Sequence, residues 1–325
     1  MSKLYVIGNG FDLHHGLKTS YYDFSKYLKE NNPPLFDTLE KYISYPISDD
    51  SLWSRFEENL ANLDADEILS ENSDYLPNIA SDDFRSRDLH TFPDIMHEQF
   101  LQLTSGLLSE FKNFILAVRF PESAYEQKLR IDKDSIFLNF NYTNTLERLY
   151  NITNNHINYI HNSVYRNRDE IILGHGIDPE NFEKEIPTPP DNLDEEDYEE
   201  WYRMNNDYDY SFDTGRESLY EYFKIMHKPT KQIIENNKIF FDSLDIIDEI
   251  YIFGHSISEV DILYFQKLAK SVSPNSKWSF SYYSHENIPI LKNSLIGAGV
   301  KEDQISSIRL QDIQRNNTQL SLDFE

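Results

Sequence analysis

VIGNGFDLHHGLKTSYYDF, residues 6–24, runs from an apolar segment into Gly8-Asn9-Gly10 and then crowds Asp12, His14 and His15 ahead of Gly16. An apolar strand that closes on Gly-x-Gly is how an α/β protein brings its backbone close to a phosphate. The full dinucleotide fingerprint calls for a third glycine where Leu13 stands. Taken alone, the segment reads equally as a nucleotide turn of another kind and as a tight strand-to-helix turn. Ser20 and Asp23 have capping-box spacing, so a helix is expected over Ser20–Lys29.

Working outward, runs rich in β-branched and aromatic residues recur at 3–8, 135–140, 157–161, 170–174, 249–254 and 278–284. Each reads as a buried strand. Helical spacing follows most of them, over Thr143–Tyr150, Val260–Lys270 and Glu286–Ile296. This alternation predicts an α/β, Rossmann-like, doubly wound and mostly parallel sheet in a single domain over 1–325. Two stretches look like insertions between strands. One, about 50–128, is helical. The other, about 180–245, opens on Pro187, Pro189 and Pro190, and seven of the ten residues from Asp191 to Glu200 are acidic. That acidic run reads first as a solvated helix start. With the first insertion it also suits a partner or oligomer surface.

The 325 residues are 39% hydrophobic and 14% aromatic, a globular composition with no internal repeat. No apolar run approaches the ~18 residues of a membrane helix and no leader is evident, so the chain reads as soluble, unexported and cytoplasmic. Cysteine is absent, which excludes disulfides, thiolate nucleophiles and Cys-ligated metals. Thirty Lys and Arg against 56 Asp and Glu leave a net charge of −26. Such a surface repels nucleic acid and anionic membranes, while a small anion held in a pocket stays compatible with it.

In a parallel doubly wound sheet, ligands bind beyond the carboxyl ends of the strands. Those ends carry Gly8-Asn9-Gly10, Asn139-Phe140-Asn141-Tyr142-Thr143, His161-Asn162-Ser163, Gly174-His175-Gly176 and Gly254-His255-Ser256. Each also has an ordinary structural reading. Asn141 can cap the helix near Thr143, and Ser256 or Ser258 the helix after it. His161 can be a satisfied core histidine. Trp53 and Glu57 read as packing plus surface charge. His227-Lys228-Pro229-Thr230 reads as a helix boundary before proline, though a lysine there can also meet phosphate.

Gly8-Asn9-Gly10-Phe11-Asp12, His15-Gly16-Leu17-Lys18-Thr19, Asn141-Tyr142-Thr143, His161, and Gly254-His255-Ser256 with Asp261 come in an order that resembles the AbiH family of bacterial phage-abortive-infection proteins. Their layout is similar to the sirtuin-like branch of NAD-binding α/β proteins. That second resemblance implies a diphosphate turn at Gly8 and Gly10, with Asp12 in place of its Ser. It implies that Asn141 holds the nicotinamide ribose and orients water, that His161 acts as base near the ribose hydroxyls, and that Gly254 and Ser256 cradle the adenosine half. The nucleotide-binding set is thus Gly8, Asn9, Gly10, Asp12, Gly254, His255 and Ser256; the catalytic pair is Asn141 and His161. The chain departs from the pattern at Asn9, where a small residue is usual, at Thr143, where Asp is usual, and at Asn162, where Gly is usual.

The resemblance implies an abortive-infection effector that binds NAD or a related ADP-ribose nucleotide and hydrolyses it. The residue types suit the reaction: Asn both donates and accepts, and His titrates near neutrality. Two other readings stay open. One is a non-catalytic nucleotide sensor that acts with a partner. The other is a metal-dependent phosphodiesterase or nuclease using Asp12, His14 and His15 with His175 or His255. No His-x-x-x-His spacing supports that metal centre, and none is expected.

Overall fold

The computed structural model describes residues 2–166, 171–182, 190, 194, 201 and 209–313. Its strands are β1 (Ser2–Ile7), β2 (Ile136–Asn139), β3 (Ile157–Tyr159), β4 (Ile247–Phe253), β5 (Lys277–Ser281) and β6 (Ile305–Ile308). They form one sheet in the order β3-β2-β1-β4-β5-β6, and every pairing is parallel. This is the order of the doubly wound dinucleotide-binding folds. The switch point lies between β1 and β4, where the chain turns from one side of the sheet to the other.

Strand β1 shows why its sequence is apolar without alternation. Leu4 and Val6 join Leu138, Ile250, Ile252, Trp278 and Phe280 on one face, under helix Ile262–Ser271 with its Tyr264, Phe265 and Leu268. Tyr5 and Ile7 join Phe137 and Phe253 on the other, over Phe11, Leu146, Leu149 and Tyr150. A strand buried on both faces needs apolar residues at every position.

The chain between β1 and β2 and the chain between β3 and β4 build a helical lobe with a core of its own. Helices Tyr21–Asn31, Pro33–Tyr42, Phe56–Asn59, Thr91–Leu101 and Leu107–Ala117 come from the first connection, and helix Tyr210–Ile225 from the second. Phe24, Trp53, Phe56, Phe92, Phe111, Leu219 and Tyr222 pack together, and Tyr142 and Val164 from beyond β2 and β3, with Ile171 and Leu173, enter the same core. The lobe therefore sits on the carboxyl end of the sheet. Ser20 caps its first helix as the spacing requires: its hydroxyl accepts from the Asp23 amide at 3.1 Å, and the Asp23 carboxylate accepts from the Ser20 amide at 3.2 Å.

Two expectations change. Residues 171–174 are not a strand of the sheet. Instead, His175 donates its amide to the Met226 carbonyl and accepts from the Lys228 amide, both at 2.8 Å, while Ile171 and Leu173 face the lobe's core. An apolar run looks alike whether it is buried in a sheet or under helices. The sixth strand is Ile305–Ile308, whose central Ser306 and Ser307 are exposed and break the apolar signal. The acidic run 191–200 lies outside the described residues apart from Asp194.

Helices Thr91–Leu101 and Tyr210–Ile225 approach closely at Gly215, where a Cβ would stand 2.6 Å from the Phe92 ring. Phe92 is buried and cannot retreat. Gly215→Ala is therefore expected to cost about 1–3 kcal/mol through overpacking. A urea melt checks this, and an unchanged midpoint would show that the two helices separate freely.

Candidate functional site

The two glycine turns meet at the switch point. The Gly8 amide donates to the Phe253 carbonyl at 2.9 Å and the Gly10 amide to the Gly254 carbonyl at 2.7 Å. Gly254 has φ 68°, and a Cβ there would lie 2.1 Å from the Phe11 nitrogen. In this structure, Gly8, Gly10 and Gly254 thus let the ends of β1 and β4 touch backbone to backbone, and the Gly8 and Gly10 amides are engaged in that contact. The polar side chains these turns offer are the half-buried Asn9 and the exposed Ser256. The Asn9 carbonyl oxygen accepts from Thr19 at 2.7 Å, so its amide hydrogens point elsewhere. Ile257 follows at φ 52°, a left-handed conformation that strains a β-branched residue by about 1–3 kcal/mol.

Beside the turns lies a first buried polar centre. Asn141 donates its side-chain amide to the Gly8 carbonyl at 3.1 Å, so it ties the end of β2 to the end of β1. It caps no helix, because the following helix is Thr145–Tyr150 with Asn144 at its N-cap. Thr143 donates to Asp12 Oδ2 at 2.6 Å and stands 3.0 Å from the Thr145 hydroxyl. Asp12 is fully buried, and its Oδ1 has no partner. Burial pushes the Asp12 carboxyl up to about 6, against the pull of Thr143, Thr145 and Asn141.

A second centre gathers residues from five parts of the chain. Lys228, fully buried, makes an ion pair with Glu57 Oε2 and another with Asp261 Oδ1 at 3.3 Å. Tyr21 donates to Glu57 Oε1. His161 Nε2 lies 3.8 Å from Asp261 Oδ1, and His255 Nε2 lies 3.6 Å from Asp261 Oδ2. Burial first, and then the Lys228 charge, hold His161 well below the usual imidazole range and His255 down to about 3. Both rings are neutral at physiological pH. Burial alone would lower Lys228, but Asp261 and Glu57 outweigh it and raise its pKa, so the ammonium persists.

The structure thus brings His161 and His255 together around Asp261 and places Asn141 and Asp12 in the neighbouring centre. His161 is not a satisfied core histidine: it is 2% exposed, and Nε2 has no hydrogen-bond partner. Glu57 is not surface charge, and Lys228 is more than a helix boundary. No spacing in the sequence announced either residue, because the two lie 171 positions apart. The only signal was a lysine beside a proline in a chain short of cations.

Asn162 adopts φ 64°, a conformation Asn tolerates better than most residues. His14 and His15 serve as struts. His14 Nε2 lies 3.0 Å from the Gln127 carbonyl, and His15 bridges the Phe11 carbonyl and the Tyr150 hydroxyl, each at 2.7 Å. His175 meets the site through its backbone alone, at the Lys228 amide. Among the described residues, no three His, Asp or Glu side chains group so as to hold a metal ion, and no helix is long and apolar enough to cross a membrane.

Removing the buried cation leaves the half-buried Glu57 and Asp261 carboxylates without their counter-charge. Lys228→Met is expected to cost about 3–5 kcal/mol in a urea melt. Adding Glu57→Gln should restore part of that loss, and a loss under about 1 kcal/mol would show the pair to be solvated.

Asp12 predicts a pH dependence of stability. Its folded pKa of about 6 exceeds the ordinary 3.8, so between those values the native chain keeps a proton that the unfolded chain has lost. The stabilisation is complete below pH 3.8 and is lost as pH rises through about 6. At ~1.36 kcal/mol per unit, Asp12→Asn should gain about 3 kcal/mol on the parent between pH 4 and 7. Parallel stability curves would show that Asp12 is solvated.

A family model described as Bacteriophage abortive infection AbiH matches residues 4–282. No curated protein and no solved structure matches the chain. The matched span runs from β1 through β5 and includes both glycine turns, Glu57, His161, Lys228 and Asp261. On that coverage, the chain belongs to the AbiH family of bacteriophage abortive infection proteins.

Proposed function

We propose that this abortive infection protein acts in the cytoplasm by taking NAD or a related ADP-ribose nucleotide into the switch-point crevice and hydrolysing its nicotinamide–ribose bond. One observation carries the reading: His161, at the carboxyl end of β3, is a buried neutral imidazole whose Nε2 has no partner and which stands 3.8 Å from a carboxylate. Such a group is ready to accept a proton, and Asp261 would stabilise the imidazolium formed. In the reaction, water adds to ribose C1′, its proton passes to His161, and nicotinamide leaves with the electron pair of the broken bond. Glu57 and Asp261 against the single Lys228 leave the site net negative, which favours the positive charge that develops on the ribose.

Two departures from the sirtuin-like pattern meet in the fold. Asp12 stands where that pattern has Ser, and Thr143 where it has Asp. The hydroxyl and the carboxylate have exchanged positions and are bonded at 2.6 Å. Asn141, fixed to Gly8, would hold the ribose and the water. Gly8, Asn9, Gly10, Asp12, Gly254, His255 and Ser256 would form the nucleotide wall, with the Asn9 side-chain amide and the Ser256 hydroxyl offered to the phosphates.

The test is nicotinamide release from NAD by the purified protein, with thermal shift followed in the same samples. His161→Ala and Asn141→Ala are each expected to slow release by about 10²–10⁴-fold while the melting transition stays cooperative. A thermal shift without release would replace hydrolysis by nucleotide sensing. Release at the parent rate by His161→Ala would remove the base.

A further inference from the structure

The carboxyl ends of β5 and β6 carry a polar cluster that the reaction above does not use. The Tyr282 amide donates to the Ile308 carbonyl at 3.2 Å, so Tyr282 and Arg309 stand side by side just past the paired strands. Arg309 Nε donates to the Tyr282 hydroxyl at 3.2 Å and Nη2 donates to His285 Nε2 at 2.7 Å. The guanidinium carbon also lies 5.5 Å from the Tyr282 ring centroid. A guanidinium only donates, so His285 Nε2 is the acceptor, and that ring is neutral with its proton on Nδ1.

Arg309 is thus held by two neutral acceptors. Among the described residues no carboxylate pairs with it, although Glu286 and Asp312 belong to the same two segments. Lys292, on helix Asn287–Gly297, shows the ordinary outcome in a chain of 56 acidic and 30 basic residues: it pairs with Glu302 at 2.8 Å. The bonds to Tyr282 and His285 use the Nε and Nη2 side of the guanidinium. The edge between Nη1 and Nη2 keeps two parallel donors, the geometry that takes two oxygens of one phosphate. Tyr283, 97% exposed in the same turn, adds an aromatic face on which a base can stack.

We propose that the ends of β5 and β6 form a phosphate-monoester subsite with Arg309 as its binding residue, and that the nucleotide it selects carries a 2′-phosphate on the adenosine ribose, as NADP does. The assignment rests on the nucleotide reading above and names its substrate class. Position supports it. The Gly254 amide donates to Ser281 Oγ at 2.8 Å, so the turn that would hold the adenosine half is tied to the end of β5. Arg309 follows β6, two strands from that turn, about 10 Å away at the ordinary strand spacing and within reach of one nucleotide. A 2′-phosphate brings two negative charges to an uncompensated arginine. A free 2′-hydroxyl leaves the guanidinium edge in water, so Arg309 separates the two forms.

ADP-ribose and its 2′-phosphate, which both lack the bond to be broken, are the probes, titrated calorimetrically into the parent and into Arg309→Gln. Arg309 is exposed, so the variant is expected to keep the parent's melting transition. The expected results are at least tenfold tighter binding of the 2′-phosphate form by the parent, and loss of that preference in Arg309→Gln with the affinity for ADP-ribose unchanged. Failure of both probes to bind the parent would overturn the nucleotide reading and the subsite with it. Equal binding of the two by the parent, or a preference that survives Arg309→Gln, would overturn the subsite and leave the nucleotide reading standing. If that variant does not fold, Arg309→Lys, which keeps the charge and loses the fork, is read in its place: an undiminished preference overturns the proposal.

Discussion

The Lys228 ammonium is the point on which the rest of the site depends. It is fully buried, and its charge is tolerated because Glu57 and Asp261 stand against it. Glu57 belongs to the helical lobe and Asp261 follows β4, so one cation ties the lobe to the carboxyl end of the sheet. Burial first, and then that same charge, keep His161 and His255 neutral. A buried ion pair is weak evidence for stability, but here its cation adds to burial in holding the two neighbouring imidazoles neutral.

The glycine turns impose the second constraint. Gly-x-Gly after a first strand is commonly read as a phosphate cradle. Here Gly8, Gly10 and Gly254 are required by a backbone contact between β1 and β4 that no side chain could enter. That contact brings the ends of β1 and β4 together at the switch point. It places Asn141 against Gly8, and it leaves Asn9 and Ser256 as the accessible polar side chains of the two turns. The strained Ile257 lies in the same turn, where packing of a buried side chain and the bond to His255 hold it.

Much of this was legible before folding. Five of the six strands, the capped helix at Tyr21–Asn31 and the polar strand ends followed from local patterns, because a strand buried on both faces and a capping box leave marks within a few residues. β6 was missed because two exposed serines interrupt four residues, and residues 171–174 were misplaced because burial under helices looks like burial in a sheet. His161 and His255 were visible as strand-end residues. Glu57 and Lys228 were not, because an ion pair between distant parts of the chain has no local signature.

The amino-acid sequence by itself determined the parallel α/β class, the order of the polar turns and the family, since all three reside in short motifs and their succession. Only the tertiary structure decided which polar residues share a centre, which glycines serve contact, and which imidazole nitrogen is left bare. Charge state, hydrogen-bond pairing and burial depend on distances across the fold, and these arise only when the lobe closes on the sheet.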